Sequence, residues 1–190
     1  LENIDNQFIN STSKFNLQET TGWWYSISSD DLDNDGDDDY VLGNLGLNYK
    51  YKANAGEPFS VHYDDFDNNG QNDIVLSYYN YGTQYPLRGR SCSSQQIPEI
   101  KEKFENYNLF ASASLSDVYG GLELNNALHY EAHSFESISI ENLGKGNYNM
   151  RPLPDLAQVS NINSTVIFDV DQDGIKDLII AGNLYGSEIE

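Results

Sequence analysis

The chain has 190 residues, 38% of them hydrophobic, enough for one generous domain or two small ones around a packed core. Thirty Asp and Glu face ten Lys and Arg, and the resulting charge of −20 repels phosphate backbones and anionic membrane surfaces, which argues against a nucleic-acid partner. No 18-residue apolar span or signal-peptide pattern occurs, so no transmembrane segment is expected. Cys92 is the only cysteine, which excludes an intrachain disulfide, and a chain whose only methionine is Met150 reads as a processed product or an excised piece.

In chain order, a strand-like stretch from Trp24 to Ser28 leads into Asp31-Leu-Asp-Asn-Asp-Gly-Asp-Asp-Asp39 and then the apolar Tyr40-Val-Leu42. Phe59, Val61 and Tyr63 alternate with Ser60, His62 and Asp64, the period of a half-buried strand, before Asp65-Phe-Asp-Asn-Asn-Gly-Gln-Asn-Asp73 and Ile74-Val-Leu76. The unit returns as Thr165 to Phe168, Asp169-Val-Asp-Gln-Asp-Gly-Ile-Lys-Asp177 and Leu178-Ile-Ile180. Three copies of strand, D-x-D-x-[DN]-G-x-x-D and strand make this a repeat.

The second interval is much longer than the first and holds helical signals. A possible cap at Ser94, Pro98 in an early helical position and Ile100, Phe104 and Tyr107 on one face predict a helix, and Ser116-Asp117 with Leu122 to Leu128 predict a second. Ser134 to Ile140 alternates again, Asn142 to Gly146 reads as a turn and Tyr148 to Leu153 as the returning strand. Residues 93–128 therefore read as a helical insertion in a β repeat array spanning residues 1–190, with Ile100, Phe104 and Tyr107 facing the strands.

Carboxylates at loop positions 1, 3, 5 and 9, Gly at 6 for the sharp turn and a carbonyl at 7 surround one point with oxygen, the chemistry of a hard cation, best Ca2+. The ligand sets are Asp31, Asp33, Asp35, Asp37 and Asp39; Asp65, Asp67, Asn69, Gln71 and Asp73; and Asp169, Asp171, Asp173, Ile175 and Asp177, with Asp37, Gln71 and Ile175 contributing carbonyls. An EF-hand needs a bidentate Glu at position 12, where this chain has Leu42, Leu76 and Ile180. Turn chemistry alone explains one such loop, but not three in register between strands. Asn69 replaces a carboxylate, so the second loop is expected to bind most weakly. Three divalent ions would remove six units of negative charge and relieve the repulsion within each loop.

Val41-Leu-Gly-Asn44 and Ile179-Ile-Ala-Gly-Asn183, each behind a loop, resemble the FG-GAP or VCBS repeat of integrin α-type β-propellers. Gly43-Asn-Leu-Gly-Leu-Asn48, Gln96-Ile-Pro98 and Arg151-Pro-Leu-Pro154 are similar to VCBS-repeat proteins of Bacteroidetes of the ASPIC and UnbV type, over about Gly22 to Gly186. The resemblance implies a mainly β fold, a calcium-binding β-propeller, secreted or associated with the bacterial cell surface and outer membrane. At about 40 to 45 residues per blade the chain would supply three to four blades, the remainder coming from further chain or another copy. The second copy lacks the Gly-Asn pair, and no ASPIC and UnbV segment is recognisable.

His129-x-Glu131-x-His133 would set two imidazoles one turn apart on a helix, but it is not H-E-x-x-H and its flanks turn toward strand, so solvated or hydrogen-bonded histidines are expected rather than zinc. Trp23 or Trp24 is expected in the core. Tyr78, Tyr79, Tyr81 and Tyr85, with Arg88, form an aromatic, amide-rich stretch suited to a carbohydrate or protein ligand. With no nucleotide or hydrolase motif, the expected function is a calcium-stabilised, metal-binding repeat module that binds protein or glycan. A calcium-dependent polysaccharide lyase or hydrolase on the same scaffold is the alternative.

Overall fold

The structure, a computed structural model, describes residues 1–184; the last residues of the resemblance, to Gly186, lie outside them. It is mainly β, with several antiparallel sheets, none of them closed among the described residues. The chain divides into two compact units, Leu1–Lys50 with the chain from Ser134 onward, and Tyr51–His133.

The first unit opens with a short hairpin of β1 (Glu2–Ile4) and β2 (Gln7–Ile9). Its main sheet has β3 (Ser26–Asp30) and β4 (Asp39–Gly43) joined by the first acidic loop, then β9 (Ile138–Asn142) and β10 (Tyr148–Pro152), in the order β10-β9-β4-β3. β4 pairs with β9 across the whole intervening unit, Val41 opposite Ser139. The β9–β10 turn is the expected one, with positive φ at Gly144, Lys145 and Gly146.

A second hairpin, β11 (Ser164–Phe168) and β12 (Asp177–Ala181), carries the third loop. Its Ile167 and Leu178, directly opposite each other, pack with Leu32 against a core of Val41, Leu153, Ala157 and Ile162. Ser26 and Ser28 donate hydroxyl hydrogen bonds to the carbonyls of Ile162 (2.8 Å) and Thr165 (3.1 Å). Val166, Phe168 and Ile179 point the other way and are more than half exposed.

Asn44, fully buried at the end of β4, pins this unit. Its Oδ1 accepts from the backbone N–H groups of Trp23 (3.0 Å) and Leu45 (2.8 Å). Its Nδ2 donates to the carbonyls of Ser134 (3.0 Å) and Glu136 (3.1 Å), so every side-chain hydrogen-bonding direction is used. Gly43 precedes it because a Cβ there would collide with the Ile162 carbonyl and the Ser26 hydroxyl. Neither tryptophan enters the core as expected: Trp23 is 42% exposed beside Phe135, and Trp24 is half-buried with its indole N–H on the Thr20 carbonyl. Phe135, 1% exposed, is the aromatic buried there instead.

The second unit has β5 (Phe59–Asp64), β6 (Asp73–Asn80), β7 (Thr83–Pro86) and β8 (Leu128–Ala132), in the order β7-β6-β5-β8. Five short helices lie between β7 and β8: α1 (Arg90–Gln96), α2 (Glu99–Lys103), α3 (Tyr107–Ala111), α4 (Leu115–Tyr119) and α5 (Gly121–Asn126). The single helix expected from Ser94 is thus three, because Pro98 caps α2 and Asn106 caps α3, accepting from the Leu109 N–H at 3.0 Å. The first begins earlier than expected. Arg90 is buried there, its guanidinium donating to the carbonyls of Phe104, Lys101 and Glu105. The second expected helix, from Ser116-Asp117 to Leu128, is two, α4 and α5, parted at Gly120 (φ 85°); it ends at Asn126, and Leu128 opens a strand.

Ile100 and Phe104 are buried as expected, but among helices, with Ile97, Phe110, Ala113 and Val118. Leu115 and Leu124 are the residues that cover the sheet, at Val75. Tyr107 faces water, 64% exposed, its ring under the Arg90 guanidinium (5.4 Å) and its hydroxyl 2.8 Å from Ser91 Oγ. Its i+7 spacing from Ile100 loses meaning once the helix breaks between them.

Candidate metal centres

Each acidic loop closes on itself by one scheme of hydrogen bonds. In the first, Asp31 accepts from the N–H groups of Asp35 (3.0 Å) and Gly36 (3.0 Å), Asp33 from Asp35 (3.2 Å), Asp35 from Asp37 (2.9 Å) and Asp39 from Leu32 (2.9 Å). In the second, Asp65 accepts from Asn69 and Gly70, Asp67 from Asn69, Asn69 from Gln71 and Asp73 from Phe66. In the third, Asp169 accepts from Asp173 and Gly174, Asp171 from Asp173, Asp173 from Ile175 and Asp177 from Val170. The turn needs left-handed backbone at positions 4 and 6, occupied by Asn34, Asn68 and Gln172 (φ 62°, 57° and 65°) and by Gly36, Gly70 and Gly174.

This scheme converges the carboxylates of positions 1, 3 and 9. In Asp31, Asp33 and Asp39, in Asp65, Asp67 and Asp73, and in Asp169, Asp171 and Asp177, one oxygen from each lies within 4.8 Å of the others, so each group could hold a metal ion. The side chains of Asp35, Asn69 and Asp173 stand outside these groups, turned to the N–H of position 7. Asn69 also donates through Nδ2 to Asp67 Oδ2 at 3.0 Å, occupying an oxygen that is not so engaged in the other loops.

The position-9 carboxylates differ in burial. Asp39 is 2% exposed and its second oxygen accepts from the Asn142 N–H (2.8 Å), tying the loop to β9; Asp73 is 5% exposed, and Asp177 is exposed. Burial raises the Asp73 carboxyl above the ordinary carboxylate range, with Asp67 and Asp65 pushing the same way against the Phe66 N–H. Asp33 is raised as well, by desolvation and then by the charge of Asp35. Lys176 in the third loop reaches Asp30 beside the first, at 3.2 Å.

The expected ligand stretch splits. Tyr78 and Tyr85 are directly opposite on β6 and β7, their rings 6.5 Å apart, and Tyr51 joins Tyr78 at 4.9 Å. Tyr79 lies on the other face of β6, opposite Gln84. Tyr81 is fully exposed in the tight turn, and Arg88 is exposed beyond β7. The His-x-Glu-x-His segment is strand, not helix, since β8 pairs with β5 and sets His129 opposite His62. Tyr51 was not singled out in the sequence and His62 was read only as one residue of an alternating strand, because the three-dimensional fold alone brings them to these positions. No helix among the described residues is long and apolar enough to cross a membrane. No protein-family model, curated protein or solved structure matches the chain.

Proposed function

We propose that the chain is a calcium-stabilised β-propeller segment of FG-GAP or VCBS type, a binding module for protein or glycan in a secreted or surface-associated bacterial protein. The observation that carries the reading is the threefold repetition of one loop: the same hydrogen bonds, the same left-handed positions and the same three converging carboxylates, each between two paired strands. Calcium fits better than magnesium, which keeps several waters in strict octahedral geometry, and better than transition metals, which favour imidazole or thiolate. With the ion bound, the carboxylates are neutralised where the loop holds them together, so the ion clamps the two strands. The paired Tyr78 and Tyr85, extended by Tyr51, offer flat rings for a ligand on the second unit.

Titration calorimetry with Ca2+ tests this, alongside melting curves in excess chelator and in calcium. Binding at 100 times Kd stabilises the folded state by about 2.7 kcal/mol per site. Asp171→Ala should remove the third loop's share. Identical melting curves with chelator and with millimolar calcium would end the structural-ion reading.

A further inference from the structure

The chain has three histidines: His62 and His129 lie on the sheet of the second unit and His133 just past its edge strand. His62 on β5 lies directly across from His129 on β8, their rings stacked at 4.2 Å and 10° from parallel. Glu131 is two residues further along β8 on the same face. Its Oε1 is 3.5 Å from His129 Nε2 and its Oε2 3.2 Å from the Nε2 of His133, just past the strand. His62 is 95% buried by its 5% exposure, and its Nδ1 has no hydrogen-bond partner. Among the described residues it is the one buried side-chain nitrogen left without a partner, where buried polar groups are ordinarily paired, and that calls for a reason.

We propose that His62, His129, Glu131 and His133 form a site for a divalent transition-metal ion of the zinc class, distinct in chemistry from the acidic loops. Imidazole nitrogens with one carboxylate are the donor set that zinc takes and calcium refuses. Each Nε2 faces its own oxygen of Glu131, His129 at 3.5 Å and His133 at 3.2 Å, so this carboxylate is the group the two imidazoles share. The donors are spread wider than those of the acidic loops, with Glu131 between two imidazoles. Gathering all four around one ion requires the exposed His129 ring to leave its stack on His62. Glu131 is a charged group beside the imidazoles of His129 and His133. β8 is the edge of its sheet, so an ion held by His62 and His129 would staple the edge strand to β5.

The test is titration of the full chain with Zn2+ alone, in millimolar Ca2+ to occupy the acidic loops, while the histidine ring resonances are followed by NMR. One equivalent should shift the ring nitrogens of His62, His129 and His133, and Co2+ should give the strong visible band of four-coordinate nitrogen and oxygen ligation. His62→Phe keeps a ring in the stack but removes the donor, and Glu131→Gln removes the charge. Each should weaken zinc at least tenfold. Unshifted histidine resonances in the unmutated chain, or zinc affinity unchanged in both variants, would overturn the site.

Discussion

Asn44→Asp changes one nitrogen to oxygen and tests whether the first unit depends on the hydrogen bonds gathered at the end of β4. The two N–H groups that Asn44 Oδ1 accepts, from Trp23 and Leu45, keep an acceptor. The carbonyls of Ser134 and Glu136 lose their donor and meet an oxygen at about the present 3.0 and 3.1 Å. Leaving a buried acceptor unsatisfied costs about 1 to 3 kcal/mol, so two cost roughly 4 kcal/mol, before any charge on a residue with no exposure to water is counted. In a chain of this size that lowers the melting temperature by roughly 10 to 15 °C. Protonation would return one donor, so the deficit should narrow as pH falls. Urea unfolding of both proteins at pH 7 and pH 5 measures this. Asn183→Asp, the matching but exposed position behind the third loop, is the control and should change stability by less than about 0.5 kcal/mol. A loss below about 1 kcal/mol in Asn44→Asp, or equal losses at both positions, would refute the reasoning.

Gly43→Ala should destabilise by about 1 to 3 kcal/mol, read from the same urea curves, because the methyl meets the Ile162 backbone rather than a side chain that could swing away. Asn69→Asp should raise calcium affinity of the second loop about tenfold by calorimetry, since it adds a charge and releases Asp67 Oδ2 from the amide. His62, depressed from 6.5 to about 4, stays neutral in the folded chain while the unfolded chain takes up a proton. Its contribution, about 3 kcal/mol, is therefore present above pH 6.5 and lost as pH falls toward 4. In chelator, wild type should lose stability over that window more steeply than His62→Phe, and parallel pH profiles would count against it.

The acidic loops were legible because they are local. Asp at positions 1, 3 and 9 with Gly at 6 closes through hydrogen bonds spanning at most seven residues, so spacing and geometry are nearly the same information. The flanking strands came with them, shifted by a residue or two. The helices were misphased because their start depends on a buried Arg90 reaching carbonyls more than ten residues away, which no periodicity encodes. His129 and His133 were weighed as helical neighbours because i and i+4 share a face in a helix and in a strand alike. What decided between them was the pairing of Tyr63 with Leu128, a contact across 65 positions. The Gly-Asn pair was read as a family mark. In the first repeat both residues pack; in the third Asn183 is exposed, while a Cβ on Gly182 would still collide with the Asn161 carbonyl.

The nesting of Tyr51–His133 between β4 and β9 has a consequence for synthesis on the ribosome. Ninety-four residues separate β4 from β9, the strand that covers its open edge. At about 5 to 20 residues per second, that edge waits roughly 5 to 20 seconds for its partner. Over the same interval Asn44 cannot yet reach the carbonyls of Ser134 and Glu136. The nested unit holds all four of its strands within its own span and can complete its sheet first. Nascent chains stalled before Ser134 should therefore already protect β5 to β8 from protease while β3 and β4 remain cleavable, with the acidic loop between them helping to keep the unpaired edges of neighbouring copies apart.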